Sequence, residues 1–351
     1  MRPLIVRFAA FGDVVLITTL VELLSRRYGG PVDILGSGNW TAGLLANDPR
    51  VGHVQLVTSR KSPYWICPSQ WQAIGWLRQR TAGPVYLCEP DGKSQWLLER
   101  AGIPRSAILR AFDYQATNQI HFSRWWEQIG QLSPLQFAVP PLDLATLDSA
   151  PRLHCSAEDR ADCGVWLRQR GLGDAPLILI QPGNKRTLKR GRIAALTDNK
   201  YWPVKRWAEL VRELLRLAPT AQVLLCGVPA EAGILDAIRR QLSSTRVHDL
   251  SGELPVQRLL PLLERAECMI SVDTGPAHAA AALDCPLVVM FGEQDQRVWC
   301  PRSRAGRVIA LGGAAGNASK LSDISVAQTL AAWSQLPKRQ TAVKAAAPQA
   351  A

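Results

Sequence analysis

Short apolar runs alternate with helical patterns along this chain, and that alternation constrains its fold more than any other feature. Leu4–Phe8 reads as a buried strand and Val14–Arg27 as a helix with an apolar stripe. Val32–Leu35, Val54–Val57 and Val85–Cys88 read as strands, and Trp71–Arg80 as a helix. A strand that is apolar at every position fits a parallel sheet covered by helices on both faces. The rhythm fails between about Leu132 and Pro151, where Pro134, Pro140, Pro141 and Pro151 interrupt a stretch without periodicity. A domain boundary belongs there. The rhythm then restarts, with strands expected at Leu177–Gln181, Val223–Cys226, Met269–Val272 and Leu287–Phe291. Helices are expected at Trp207–Leu217, Ala230–Leu242, Val256–Glu267, Pro276–Leu283 and Ile324–Leu336.

The expected class is α/β, with two doubly wound domains: residues 1–150, residues 151–336, and a low-complexity, disordered tail at 337–351. In such sheets ligands bind where the carboxyl ends of the strands face a cleft. The length of 351 residues suits two domains with sizeable cores. Val14 to Leu24, the first apolar stretch, is too short to span a bilayer and holds Glu22, so it predicts neither a leader nor an anchor. A cytoplasmic location is the expectation. None of the eight cysteines forms a C-x-x-C pair or lies beside a histidine at zinc-finger spacing, which points to reduced thiols and no metal site.

Charge narrows the partners. The net charge of +12 divides into +3 over residues 1–150, +6 over 151–336 and +3 over the tail. The loop Asn184–Trp207 alone has eight Lys and Arg against the single acid Asp198, a net +7. A cationic loop between a strand and a helix suits an anionic ligand, although such a run is also an ordinary solvated surface. Lys200, beside Trp202 and Pro203, is the favoured ligand contact.

Two strand-to-helix turns could hold chemistry. In Arg7-Phe8-Ala9-Ala10-Phe11-Gly12-Asp13, Gly12 permits a tight turn and Asp13 stands at a helix start. Its carboxylate could accept a proton from a substrate hydroxyl, or simply complement the helix dipole. In Ile270-Ser271-Val272-Asp273-Thr274-Gly275-Pro276-Ala277-His278, free amides and the Thr274 hydroxyl could cradle a phosphate at a helix N-terminus. The simpler alternative is an N-cap by Asp273 or Thr274, with His278 packed nearby. No D-x-D triplet, Walker A, G-x-S-x-G or H-E-x-x-H pattern occurs. Basic residues and helix termini could therefore stabilise a leaving phosphate without a metal.

Together these motifs resemble glycosyltransferase family 9, the ADP-heptose:lipopolysaccharide heptosyltransferases. The resemblance runs through Ile180-Gln181-Pro182-Gly183, Lys200-Tyr201-Trp202-Pro203, Val223–Glu231, Ser251-Gly252, Asp273-Thr274-Gly275-Pro276-x-His278 and Pro286–Gly292, in that order. Gly12-Asp13, with Thr18-Thr19, resembles the amino-terminal signature, and Asn47-Asp48-Pro49 and Asp91-Gly92-Lys93-Ser94 are weaker echoes. Gln181 stands where the family often has His, and the basic insertion before Lys200 is long.

The resemblance implies a GT-B fold, two Rossmann-like domains with acceptor on the first and nucleotide-sugar on the second. It implies an inverting, metal-independent transfer of a sugar, heptose from ADP-heptose, onto a lipopolysaccharide core. Asp13 would be the general base; Lys200, Thr274 and Gly275 would bind the donor diphosphate and Glu231 the ribose, with Asp273 and His278 also in the donor site. Gly12, Lys93 and Ser94 are the acceptor-side candidates. The implied partners are an ADP-sugar donor and an anionic glycolipid acceptor, with peripheral contact at the inner face of the inner membrane and neither cofactor nor nucleic acid. Two other classes remain: a GT-B enzyme using a UDP-sugar or another nucleotide-sugar, and a nucleic-acid-binding protein using some of the 12 Trp residues.

Overall fold

The computed structural model describes residues 1–59, 62–90, 92–114, 120–146, 150–184, 188–189, 192–193, 200–313, 320–337 and 339. Two parallel sheets dominate it. The first has five strands, β1 (Leu4–Arg7), β2 (Val32–Gly36), β3 (Val51–Leu56), β4 (Val85–Leu87) and β5 (Ile108–Arg110), in the order β3-β2-β1-β4-β5. In the second half come β6 (Leu177–Gln181), then a small antiparallel pair, β7 (Leu188–Lys189) and β8 (Arg192–Ile193). The strands β9 (Gln222–Leu225), β10 (Val247–Asp249), β11 (Cys268–Val272), β12 (Leu287–Phe291) and β13 (Val308–Gly312) complete the second sheet, in the order β10-β9-β6-β11-β12-β13. Both orders reverse direction once, as doubly wound sheets do, so the expected architecture is present twice.

The apolar runs mark these strands because helices cover both faces. Every residue of β1, β6, β11 and β12 is buried. The helix Val204–Leu217 shows the matching pattern, burying Trp207, Leu210, Val211, Leu214 and Leu215 along one stripe. Trp202 packs edge-on against Trp207 at 4.7 Å between ring centroids, and both are fully buried. Trp125 and Trp126 are likewise core residues. All eight cysteines are unpaired thiols, seven of them buried.

Several elements depart from the periodicity reading. The expected single helix Val14–Arg27 is two, Phe11–Leu16 and Thr18–Tyr28, meeting at Ile17. At the break the Thr18 and Thr19 hydroxyls donate to the Val15 and Leu16 carbonyls at 2.7 and 3.0 Å, competing with the helical ladder. The helices Lys93–Arg100, Phe122–Gln131 and Ala157–Gln169, and the strands β5, β10 and β13, add to the expected set. Ala157–Gln169 has a legible signal, a capping box in which Ser156 and Asp159 exchange hydrogen bonds. Arg339, at the start of the expected disordered tail, reaches back to the carbonyls of Leu283 (2.9 Å), Asp284 (3.3 Å) and Ala266 (3.4 Å). Residues 338 and 340–351 lie outside the described residues.

The two halves pack through their helices. Phe11–Leu16 lies against Gly275–Ala282, whose alanines permit close approach, and Val256–Arg265 packs on both Trp40–Leu45 and Ala157–Gln169. Around the expected boundary at 150/151, the Arg152 amide donates to Thr18 Oγ1 (3.0 Å) and the Leu153 amide to the Ala282 carbonyl (3.4 Å). This segment is stitched to both halves.

Candidate active site

Each sheet has a switch point where neighbouring strands send their connections to opposite sides, leaving a crevice at their carboxyl ends. In the first sheet it lies between β1 and β4; in the second, between β6 and β11. The turn after β1 contains Gly12 and Asp13, and the turn after β11 contains Asp273, Thr274 and Gly275. These two turns meet. A Cβ on Gly12 would stand 2.9 Å from Cδ2 of His278, and a Cβ on Gly275 would stand 2.8 Å from Cβ of Phe11. At both glycines a side chain from the other half takes the space a Cβ would need.

On the first side, Asp13 sits in the first turn of Phe11–Leu16 with its side chain 25% exposed. Arg7, at the end of β1, donates from Nη2 to Asp13 Oδ1 at 3.1 Å and from Nη1 to the Cys88 carbonyl at 2.8 Å. Arg7 Nη1 also lies 3.5 Å from Glu89 Oε1, which accepts the Phe8 amide at 2.7 Å. The guanidinium is buried and lies over the rings of Phe112 and Trp126 at 5.9 and 5.6 Å. A buried arginine with two carboxylates and a carbonyl around it is a rigid mount, and it holds the Asp13 carboxylate at the cleft. Arg7 and Glu89 were not expected as site residues. Their signal is an arginine closing an otherwise apolar strand, a charge that burial tolerates only beside acids.

On the second side, Lys200 Nζ is paired with Asp273 Oδ2 and also donates to the Asp273 carbonyl at 3.3 Å. His278 Nε2 lies 3.8 Å from Asp273 Oδ1. Burial holds the His278 imidazole below its ordinary range against the opposing pull of Asp273 and Asp13, while Lys200 adds to the depression. Thr274 is the N-cap of Gly275–Ala282, yet its side chain makes no capping bond; its Oγ1 faces Ser271 Oγ at 3.2 Å. The simple-cap alternative is thus not what the side chain does. A helix start leaves its first-turn amides without intrahelical partners, and this one opens at Gly275, where the two turns meet.

The remaining expected residues divide. Glu231, after β9, is buried beside Gly183 and Gly227, accepting the Val228 amide at 3.0 Å and Gln181 Nε2 at 3.4 Å. Burial raises its carboxyl above the usual range, partly offset by those bonds. Ser94 is fully buried in Lys93–Arg100, so its hydroxyl does not line the open cleft. The side chain of Lys93, and Asp91, lie outside the described residues. So does most of the basic loop, at 185–187, 190–191 and 194–199. The side chains of Lys189 and Arg192 also lie outside the described residues; of the other three cations Lys200 pairs with Asp273, Lys205 is exposed, and Arg206 bonds to the Ser322 and Ile324 carbonyls. Among the described residues, no three His, Cys, Asp or Glu side chains converge as a metal-binding group.

A second junction joins the halves beside the site. The Cys300 carbonyl lies 2.7 Å from His121 Nε2, so Nε2 carries the hydrogen, and Nδ1 accepts the Ser123 amide at 3.2 Å. Arg302 Nη1 donates to Ser123 Oγ at 3.0 Å, leaving that hydroxyl to donate to Nδ1 at 2.8 Å. Every partner fits a neutral ring. Burial above all, with Arg302, His278 and Arg124, pushes His121 down to about 4.

Residues 126–327 match glycosyltransferase family 9 (heptosyltransferase). Lipopolysaccharide heptosyltransferase 2 of Escherichia coli strain K12 is 33% identical over 89% of this chain and 88% of its own length. The enzyme of the same description from Salmonella typhimurium strain LT2 is 31% identical over 39% of this chain, an alignment spanning 37% of that relative. Among solved structures, E. coli ADP-heptose lps heptosyltransferase II superposes with a TM-score of 0.71 at 22% identity, covering 95% of this chain and 98% of the other. A glycosyl transferase family 9 protein from Veillonella parvula superposes with a TM-score of 0.76 at 17% identity, covering 95% and 96%. The fold is GT-B.

Proposed function

Since the chain belongs to glycosyltransferase family 9, the heptosyltransferases, we propose that it moves a heptose from ADP-heptose to a lipopolysaccharide core acceptor, with inversion and without a metal ion. One observation supports this above the others: the N-termini of Phe11–Leu16 and Gly275–Ala282 meet across the cleft, setting the Asp13 carboxylate on one side and Lys200, Asp273 and His278 on the other. Residues 1–150 take the acceptor and residues 151–336 the nucleotide-sugar.

In the proposed reaction an acceptor hydroxyl oxygen attacks the anomeric carbon from the face opposite the diphosphate. The new C–O bond forms as the bond to the β-phosphate oxygen breaks, and that electron pair leaves with ADP. Asp13 takes the hydroxyl proton, its carboxylate held in place by Arg7. Lys200 turns from Asp273 toward the departing diphosphate, which the Thr274–Gly275 helix start also stabilises through its amides and dipole. Glu231, at the end of β9, accepts the ribose hydroxyls. His278 and Asp273 fix the wall between the two helix starts, and Gly12 lets the acceptor side close on it. Gly12 and Lys93 stay on the acceptor side of the reading, while Ser94, fully buried, has no direct acceptor contact in it.

Among the described residues no helix is long and apolar enough to cross a membrane. A lipid-anchored core acceptor would then be met by peripheral contact at the inner face of the inner membrane. The test is ADP release from ADP-heptose on addition of a deacylated lipopolysaccharide core, alongside thermal shifts with ADP, UDP and GDP. Stabilisation by UDP with no ADP-heptose turnover would replace this reading with another nucleotide-sugar enzyme.

A further inference from the structure

A contiguous group of exposed aromatic side chains lies in the first half, away from Asp13. Tyr64, Trp65 and Ile66 form a short 3-10 turn after β3, flanked by the helices Pro68–Gln79 and Lys93–Arg100. Trp65 is 73% exposed, Ile66 53%, Trp71 44% and Trp96 37%. The rings are in contact: Tyr64 meets Trp71 at 6.3 Å and Trp96 at 5.4 Å, both edge-on. Trp71 Nε1 donates to the Tyr64 carbonyl at 2.6 Å, and the Arg100 guanidinium lies 4.4 Å over Tyr64 and 4.3 Å over Trp96. Single exposed apolar residues are ordinary, but adjacent ones held in a fixed array mark an interaction surface.

Position and charge identify the partner. The turn follows β3 and the second helix follows β4, so both leave the carboxyl edge of the first sheet, the edge that also holds Asp13. Trp and Tyr rings favour the boundary between acyl chains and water, and neighbouring cations favour anionic headgroups. Arg78 donates to the Arg100 carbonyl at 2.8 Å, and among the described residues neither arginine forms an ion pair. Both are exposed, on the two helices that flank the rings, whereas Arg80 and Arg105 of the same region are already paired with Asp33 and Glu99. A second copy of this surface would bring like charges together, whereas headgroup phosphates offer the arginines a partner.

We propose that Trp65, Ile66, Trp71 and Trp96, with Arg100 and Arg78, dock the protein on an anionic bilayer surface, presenting the acceptor side of the cleft to the membrane. The purpose of this docking rests on the reading of the acceptor as a membrane glycolipid; its binding chemistry does not. The full chain is expected to sediment with phosphatidylethanolamine vesicles that contain phosphatidylglycerol, to bind vesicles lacking it much less, and to be released by salt. In the double variant Trp65→Ser/Ile66→Ser, both at exposed sites, vesicle partitioning falls about tenfold or more, while Trp65→Phe retains most of it. Turnover on a deacylated, water-soluble acceptor is unchanged in the double variant, and KM for an acceptor presented in vesicles rises. A double variant that sediments like the wild type, or a wild type indifferent to phosphatidylglycerol, overturns the proposal. A wild-type dimer that the same substitutions dissociate, without vesicle binding, assigns the surface to a second copy instead. Vesicle binding lost in the double variant of a protein that transfers no heptose upholds the surface and removes the functional reading.

Discussion

Gly12 lies directly against the imidazole of His278, so closely that a Cβ there would stand 2.9 Å from Cδ2. One residue lies in the first turn of the first helix and the other in the helix after β11 of the second half, so this contact sets the spacing between the two turns. Because His278 is buried, it has little room to retreat. Gly12→Ala is expected to destabilise the protein by about 1–3 kcal/mol through overpacking and to depress turnover. Thermal denaturation checks the first effect. Adding His278→Ala should restore the melting temperature without restoring activity, which separates the steric clash from a general loss of fold.

Asp13→Asn keeps the shape and loses the proton acceptor. Turnover is expected to fall about 10²–10⁴-fold while the dissociation constant for ADP stays the same, measured by calorimetry. Wild-type turnover in this variant would remove Asp13 from the role of base.

Lys200→Ala removes the lysine paired with Asp273 and, in the proposed reaction, the cation on the diphosphate. Affinity for ADP is expected to drop about 10–100-fold, the loss of one charge-assisted hydrogen bond of about 1.5–3 kcal/mol. An ADP affinity equal to that of the wild type would place the diphosphate elsewhere.

Glu231→Gln tests a stability cost at the proposed ribose contact. A carboxyl whose folded range is raised binds more protons folded than unfolded, so the native state loses stability as pH rises from the ordinary value of 4.5 through the raised one. At neutral pH the burial cost is therefore in force. The amide variant is expected to melt higher than the wild type there and to bind ADP more weakly, a trade of stability against function. A lower melting temperature with unchanged ADP affinity would make Glu231 a structural residue only.

The junction at His121 predicts an acid-sensitive seam. A histidine depressed from 6.5 to about 4 binds fewer protons folded than unfolded, so stability is fully present above about 6.5 and is lost as pH falls toward 4. His278, also depressed by burial, adds to the same acid limb. His121→Gln should flatten the fall in melting temperature across that window, by removing the group that must take up a proton. A pH profile identical to the wild type would locate the acid sensitivity in other groups.

The second half was the more legible part of the chain. Leu177–Gln181 and Leu287–Phe291 occur as strands with the expected ends, because strands covered on both faces read as near-continuous apolar runs. The site turns were legible for a related reason. Gly12-Asp13 and Asp273-Thr274-Gly275 put polar residues directly after apolar strands, where a doubly wound sheet exposes its carboxyl ends. Short elements were not: β5 and β10 have three residues each, and Lys93–Arg100 has eight, too few for periodicity to stand out.

The residues themselves thus determined that the chain would form two parallel sheets, that Asp13 and the turn after β11 would lie at strand ends, and that Lys200 would lie in a strand-to-helix connection. Tertiary structure alone decided that Arg7 clamps Asp13 with Glu89 behind it, that Gly12 meets His278, and that His121 reaches Cys300 across 179 positions. The physical reason is that a strand's apolarity is imposed by its own immediate covering and recurs at a fixed spacing. A contact between two halves depends instead on how two rigid sheets face one another, and leaves no period in the chain.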